Sequence, residues 1–392
     1  MNRMLRALGA AATISLVMTL PAVAENGVTE NEVMFAQVAA LSGDAAALGT
    51  GMREGIEAAF AEANAAGGVH GRKLVLEAFD DGYEPGQSVD RVREVIEGGQ
   101  HFALIGSVGT PTTAATQPMA TDAGVPLIGP FTGAGFLRNP DLGNVYNFRA
   151  TYGAETEAWI AHLVDDLQMK DIAILYQGDG FGRVGLDGVT QALERRGMTL
   201  SAQATYVRNT IAVKGALLDL RKADPDAVVM VGAYKPIAEF IKVARQLDFD
   251  ATFVNISFVG SEALANALGA DGEGVIISQV VPFPWDESTP AVAAYQKALA
   301  ATKPDASFGF VTLEGYLVGR LAVAALEKAG ADLDRASYLR AFEQLAEIDL
   351  GGVTLQFGPG DNQGMDEVFL TQIRSDGTFS VIEPASVASL AN

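Results

Sequence analysis

Short apolar runs alternate with longer segments whose apolar residues recur every three or four positions. Runs at 33–40, 73–79, 102–105 and 125–128 read as strands, and 51–65, 87–96 and 112–122 carry helical spacing between them. Gly67-Gly68 closes the first helix, as glycine does where a helix must stop. Strand, helix and strand joined by short connections predict right-handed crossovers and a parallel, doubly wound sheet.

The same grammar restarts near residue 150. Helices are predicted at 155–167, 185–196, 212–223 and 236–247, and strands at 172–176, 204–207, 227–231 and 252–254. After an apolar run at 274–281, Pro282-Phe283-Pro284 breaks the alternation. Helices at 290–301, 312–329 and 335–345 follow. A strand at 353–357 and a hairpin of 368–373 with 379–382, turning at Asp376-Gly377, close the pattern. The chain has 392 residues, enough for two α/β domains.

The first 24 residues read differently. Arg3 and Arg6 precede an apolar run from Leu8 to Leu20, and Ala22-Val23-Ala24 offers a small-x-small cleavage site before Glu25. This is the pattern of a cleaved secretory signal and predicts a protein at work outside the cytoplasm. No Cys follows the run, so a lipid anchor on a mature N-terminus is not expected. A formal charge of −21 argues against nucleic acid and anionic lipid as partners. With no Cys and only His70, His101 and His162, a Cys/His metal site, a disulfide and a Cys nucleophile are excluded. No G-x-S-x-G elbow surrounds a serine, and neither a catalytic set nor a cofactor is expected.

Candidate chemistry gathers where predicted strands end. Gly106-Ser107-Val108-Gly109-Thr110-Pro111-Thr112-Thr113 follows the 102–105 strand and enters a helix, where free N–H groups favour an anion. Pro111 suits a first helical position with Thr110 as cap, yet capping alone does not call for so many hydroxyls. One unit later, Gly129-Pro130-Phe131-Thr132-Gly133 reads as a plain turn or as a second ligand-facing edge. Asp80-Asp81 serves either to cap the next helix or to touch ligand. Gly180-Phe181-Gly182-Arg183-Val184-Gly185 matches G-x-G-x-x-G, but the following strand does not end in the acid a ribose needs. A tight turn presenting Phe181 to an interdomain cleft is expected there. Tyr234, at another strand end, is expected to close over a ligand or pack half-buried, and Asn255 to Phe258 lines the same wall.

In this order these segments resemble the leucine/isoleucine/valine-binding family of periplasmic proteins that feed ABC importers. The likeness runs from about residue 31 to 382. It rests on Ala40-Leu41-Ser42-Gly43, Gly51-Met52-Arg53-Glu54-Gly55, the run from Ala65 to Leu74, Phe79-Asp80-Asp81, the Gly106–Thr113 loop and Gly124-Val125-Pro126-Leu127-Ile128. The resemblance implies an α/β type I periplasmic binding protein: two doubly wound parallel-sheet lobes joined by three crossover segments. It divides the chain into a signal peptide at 1–24, one lobe of 25–149 with 280–357 and a second of 150–279 with 358–392. It implies a monomer that captures a small amino-acid-like or carboxylate ligand by hinge closure and delivers it to an inner-membrane ABC permease. A sensing module that serves a membrane receptor is the alternative. The ligand set it implies is Leu48, Thr110, Phe131, Thr132, Gly133, Phe181, Tyr234 and Ser257. Amino-acid binders of this family place a carboxylate against the ligand ammonium where Ser257 or Phe258 falls here, which directs expectation toward ammonium-free carboxylates, amides or aromatic acids. Tyr83 and Gly109 stand where some relatives have paired cysteines.

Overall fold

The computed structural model describes residues 25–383; the predicted signal peptide lies outside them. The first half runs β1 (Glu32–Ala39), α1 (Ala46–Ala65), β2 (Lys73–Asp80), α2 (Pro85–Gly98), β3 (Ala103–Ile105), α3 (Thr110–Asp122), β4 (Leu127–Ile128) and β5 (Val145–Tyr146). The second continues with α4 (Tyr152–Ile160), β6 (Ile172–Gln177), α5 (Gly180–Glu194), β7 (Ala202–Tyr206), α6 (Lys214–Arg221), β8 (Ala227–Val231), α7 (Tyr234–Gln246), β9 (Thr252–Asn255), α8 (Ser261–Leu268) and β10 (Ile276–Gln279). Then come α9 (Pro290–Thr302), α10 (Phe310–Ala329), α11 (Arg335–Leu345), β11 (Glu347–Asp349), β12 (Thr354–Gln356), β13 (Phe369–Ile373) and β14 (Phe379–Ile382).

Two sheets result. The first has the order β2-β1-β3-β4-β5 and is parallel throughout. The second has the order β14-β13-β10-β9-β8-β6-β7, parallel from β10 to β7, with the β13–β14 hairpin added antiparallel. Every residue of β8 is buried, as a parallel strand covered on both faces requires. β7, at the edge, alternates instead. The helices α9, α10 and α11 return to the first sheet: α10 packs along α1, and Tyr146 of β5 stacks on Phe342 of α11 at 4.0 Å. The chain thus passes three times between the halves, after β5, after β10 and after β12. Among the described residues no helix is long and apolar enough to cross a membrane.

Several local expectations change. β5, α8 and β11 had no prediction, because two or three strand residues and an eight-residue helix leave little period to read. Gly109, not Thr110, occupies the cap position of α3, and Thr110 is already helical. The G-x-G-x-x-G segment is no turn; it forms the first two turns of α5, capped by Asp179, whose Oδ1 accepts from the Phe181 N–H at 3.0 Å. Its glycines serve close packing: a Cβ on Gly182 would lie 1.9 Å from the Gln177 carbonyl oxygen, and one on Gly185 2.4 Å from Val231. The buried Asp81 carboxylate caps no helix end; it accepts from Ser88 Oγ at 2.7 Å and from the Tyr83 N–H at 2.9 Å.

Burial pushes the Asp81 carboxyl up to about 6, against the pull of those two donors. Between about pH 4 and 6 the unfolded chain has released this proton while the folded one keeps it. The Asp81 contribution to stability therefore falls as pH rises through that window. Denaturant titrations of wild type and Asp81→Asn at pH 4 and pH 6.5 check this: the variant should lose stability less steeply over the interval. Parallel profiles would refute it.

Candidate functional site

The C-terminal ends of β3 and β4, the first turn of α3 and the turn after β9 converge between the two sheets. The sharp turn into α3 depends on Gly109, with φ +106°. A Cβ there would lie 2.3 Å from the Tyr83 ring, which covers the backbone at this point. Thr110 Oγ1 and Thr132 Oγ1 lie 2.7 Å apart, both buried, so the two loops flagged by their hydroxyls do meet. Arg138 fixes the second loop. Its Nη1 donates to the carbonyls of Thr132 and Ala134, both at 3.0 Å, its Nη2 to Arg149 O at 2.9 Å and its Nε to Gln363 Oε1 at 2.7 Å. Burial, with the neighbouring Arg149 charge, pushes the Arg138 guanidinium down to about 9.

Arg149, in the first passage between the halves, is 1% exposed. Its Nε and Nη2 donate to Glu314 Oε1 and Oε2 of α10, each at 2.8 Å, and its guanidinium lies 4.2 Å over the Phe131 ring. Burial works against its charge, but Glu314 outweighs burial and holds the guanidinium above its ordinary value. Arg149 Nη1 is buried without a hydrogen-bond partner.

On the second sheet, Ser257 donates from its N–H to Glu155 Oε2 at 2.8 Å and from its hydroxyl to Oε1 at 2.9 Å; the Ser278 hydroxyl also donates to Oε2. Phe181, in the first turn of α5, and Tyr152, at the start of α4, lie 5.4 Å apart by ring centroids. Phe258 reaches across to the first sheet, 5.4 Å from Phe131 and 5.8 Å from Tyr83. Leu48 sits on Gly260, where a Cβ would lie 2.6 Å from its Cδ2. A Cβ on Gly133 would strike Tyr152, so the backbone of that loop packs directly on the second half.

The two halves stand closed on each other. Gln177 Nε2 donates to Tyr83 Oη at 3.3 Å, Arg208 bridges Glu84 and Asp179 at 2.9 Å each, and Lys235 meets Asp44 at 2.8 Å. Among the cavities between them is one of about 10 Å³ lined by Phe131, Arg149, Ser257, Gln279, Phe310 and Glu314, room for about one water; two others, of about 610 and 640 Å³, are also lined from both halves. At the meeting point of the strand-end loops the protein's own side chains fill the space, and a solute reaches it only when the halves part.

The structure therefore brings Leu48, Thr110, Phe131, Thr132, Gly133, Phe181 and Ser257 to one interface. Tyr234, at the start of α7 and buried, stands beside Lys235 on the same boundary; it is Tyr206 whose hydroxyl enters the network, between Gln177 and the Ala233 N–H. Arg149, Glu155, Tyr152 and Arg138 were not anticipated. The signal for three of them was the cluster of Arg149, Tyr152 and Glu155 at the restart of the strand–helix pattern. Among the described residues there is no group of three or more potential metal ligands.

Two doubly wound lobes closed over polar strand ends define a solute-binding protein rather than an enzyme. The chain belongs to the periplasmic binding protein family, whose model matches residues 32–378. It is 27% identical to the leucine-specific-binding protein of Salmonella typhimurium, over 91% of this chain and 94% of that one. Identity to a Leu/Ile/Val-binding protein homolog of Brucella melitensis is 26%, over 83% and 87%. The crystal structure of a possible leucine/isoleucine/valine-binding protein from Rhodopirellula baltica superposes with a TM-score of 0.86 at 36% identity, covering 92% of this chain and 98% of that one.

Proposed function

We propose that this protein is the periplasmic component of an ABC importer, which captures a small amino-acid-like or carboxylate solute and hands it to an inner-membrane permease. The observation that carries the ligand class is the pair of buried hydroxyls, Thr110 at the start of α3 and Thr132 beside it. Two acids lie on the same boundary: Arg149 matches the Glu314 charge, whereas Glu155 accepts from the neutral donors of Ser257 and Ser278, which satisfy its oxygens without matching its charge. The Thr110 and Thr132 hydroxyls, at a helix N-terminus, are donors suited to an oxyanion. Relatives named for binding leucine, or leucine, isoleucine and valine, support capture of a small organic acid. The leader-like first 24 residues support the periplasmic setting.

Closure is a population shift, driven by contacts a solute makes only when both lobes touch it. Solute at 100 times its Kd raises stability by about 2.7 kcal/mol. A thermal-shift screen of small carboxylates, amides and amino acids therefore tests capture, and unchanged melting with every class would refute it. Thr110→Val should weaken a carboxylate solute by about 1–3 kcal/mol in titration calorimetry, the scale of a hydrogen bond to a charged group. Unchanged affinity would remove Thr110 from the site.

A further inference from the structure

Resting on the solute-capture reading, we infer that the solute is an aromatic carboxylate and that Phe258 is the side chain that selects its ring. The short turn after β9 sets Phe258 at the meeting point of three other rings. Its centroid lies 4.7 Å from Phe181, 5.4 Å from Phe131 and 5.8 Å from Tyr83. Phe258 and Phe181 come from the second sheet's half, Phe131 and Tyr83 from the first. All four are at most 1% exposed. The planes of Phe131 and Tyr83 are inclined to Phe258 by 38° and 37°, so both lean a face toward it.

Parting the halves separates Phe258 from Phe131 and Tyr83 and leaves two aromatic walls, Phe258 with Phe181 on one side and Phe131 with Tyr83 on the other. A flat ring entering between them regains, on each side, the centroid spacing of about 4.5–7 Å at which aromatic pairs attract. A saturated ring of the same size regains buried area but not the ring-face electrostatics. The acid group follows from the polar chemistry beside the walls. Arg149, whose guanidinium lies over the Phe131 ring, lines the cavity of about 10 Å³ and keeps Nη1 without an acceptor. A desolvated charged donor left unmatched is costly, and a solute oxyanion offsets that cost. The position where the family resemblance implies an acid in amino-acid binders falls here on Ser257 or Phe258, neither of them charged.

The test is titration calorimetry on the leader-free chain with benzoate, phenylacetate and 3-phenylpropanoate, beside cyclohexanecarboxylate and leucine. At least one aromatic acid should bind roughly 3- to 10-fold tighter than cyclohexanecarboxylate, the span one ring–ring pair supplies. Phe258→Leu should remove that preference while leaving cyclohexanecarboxylate within about 3-fold, and Phe258→Tyr, which keeps the ring, should retain it. Cyclohexanecarboxylate or leucine binding as tightly as every aromatic acid overturns the ring assignment and leaves solute capture standing. A Phe258→Leu variant that weakens both acids equally, or a Phe258→Tyr variant that loses the preference, also overturns it. No binding by any of the five, with no response in the wider thermal-shift screen, overturns both readings.

Discussion

Glu314→Gln should lower the free energy of unfolding by about 3–5 kcal/mol, measured by denaturant titration at pH 7. The size follows from burial. Arg149 and Glu314 are 1% and 2% exposed and share two hydrogen bonds of 2.8 Å. Removing the carboxylate charge leaves the Arg149 guanidinium in a low-dielectric site without its hydrogen-bonded counter-charge, with the Phe131 face and the more distant Glu155 left to stabilise it. It also leaves Arg138, buried and bonded to the Arg149 carbonyl, as an uncompensated like charge. Arg149→Met combined with Glu314→Leu should recover most of the loss, because replacing a whole buried pair by apolar groups is often near neutral. Glu94→Gln, which breaks the exposed pair with Arg91, should cost less than about 1 kcal/mol. A Glu314→Gln cost no larger than that of Glu94→Gln would mean the hinge pair is not an ionised, desolvated contact.

Gly55→Leu should cost about 3 kcal/mol or more, with Gly55→Ala intermediate. Gly55 lies on α1 where α10 crosses it. A Cβ there would stand 2.1 Å from the Thr312 carbonyl oxygen and 2.5 Å from the Tyr316 nitrogen. Both are helix backbone and cannot turn aside, so the helices must separate. Gly315 mirrors this from α10, against the Met52 carbonyl oxygen at 2.4 Å. Alanine gains about 1 kcal/mol of helix propensity over glycine, which is too small to reverse the sign. Gly86 in α2 supplies the contrast: a Cβ there meets nothing within 4 Å, so Gly86→Ala should be neutral or stabilising by up to about 1 kcal/mol. Equal effects of Gly55→Ala and Gly86→Ala in denaturant titrations would refute the close crossing.

The alternation of short apolar runs with helical periods was enough to read the parallel sheets, because a strand buried on both faces is apolar throughout and its crossover helix is amphipathic. β8 and α11 fall at the residues predicted, 227–231 and 335–345. Boundaries moved where a side chain found a partner across space. Thr110 reads as a cap in sequence, but its hydroxyl bonds to Thr132, which is 22 residues away. Gly180 to Gly185 reads as a loop, but Asp179 caps a helix that the glycines let approach β8.

The sequence by itself determined the fold class, the family and the strand ends where polar loops gather, since these depend on local periodicity and turn chemistry. Only the tertiary structure decided the charge balance of the site. Glu155 and Glu314 look like free acids in the chain. Which of them is charge-matched depends on partners brought beside them by sheet order and helix crossing: Arg149 pairs with Glu314, whereas Glu155 accepts from the neutral donors of Ser257 and Ser278. A carboxylate's capacity is spent by neighbours in space, and no period along the chain records who those neighbours are.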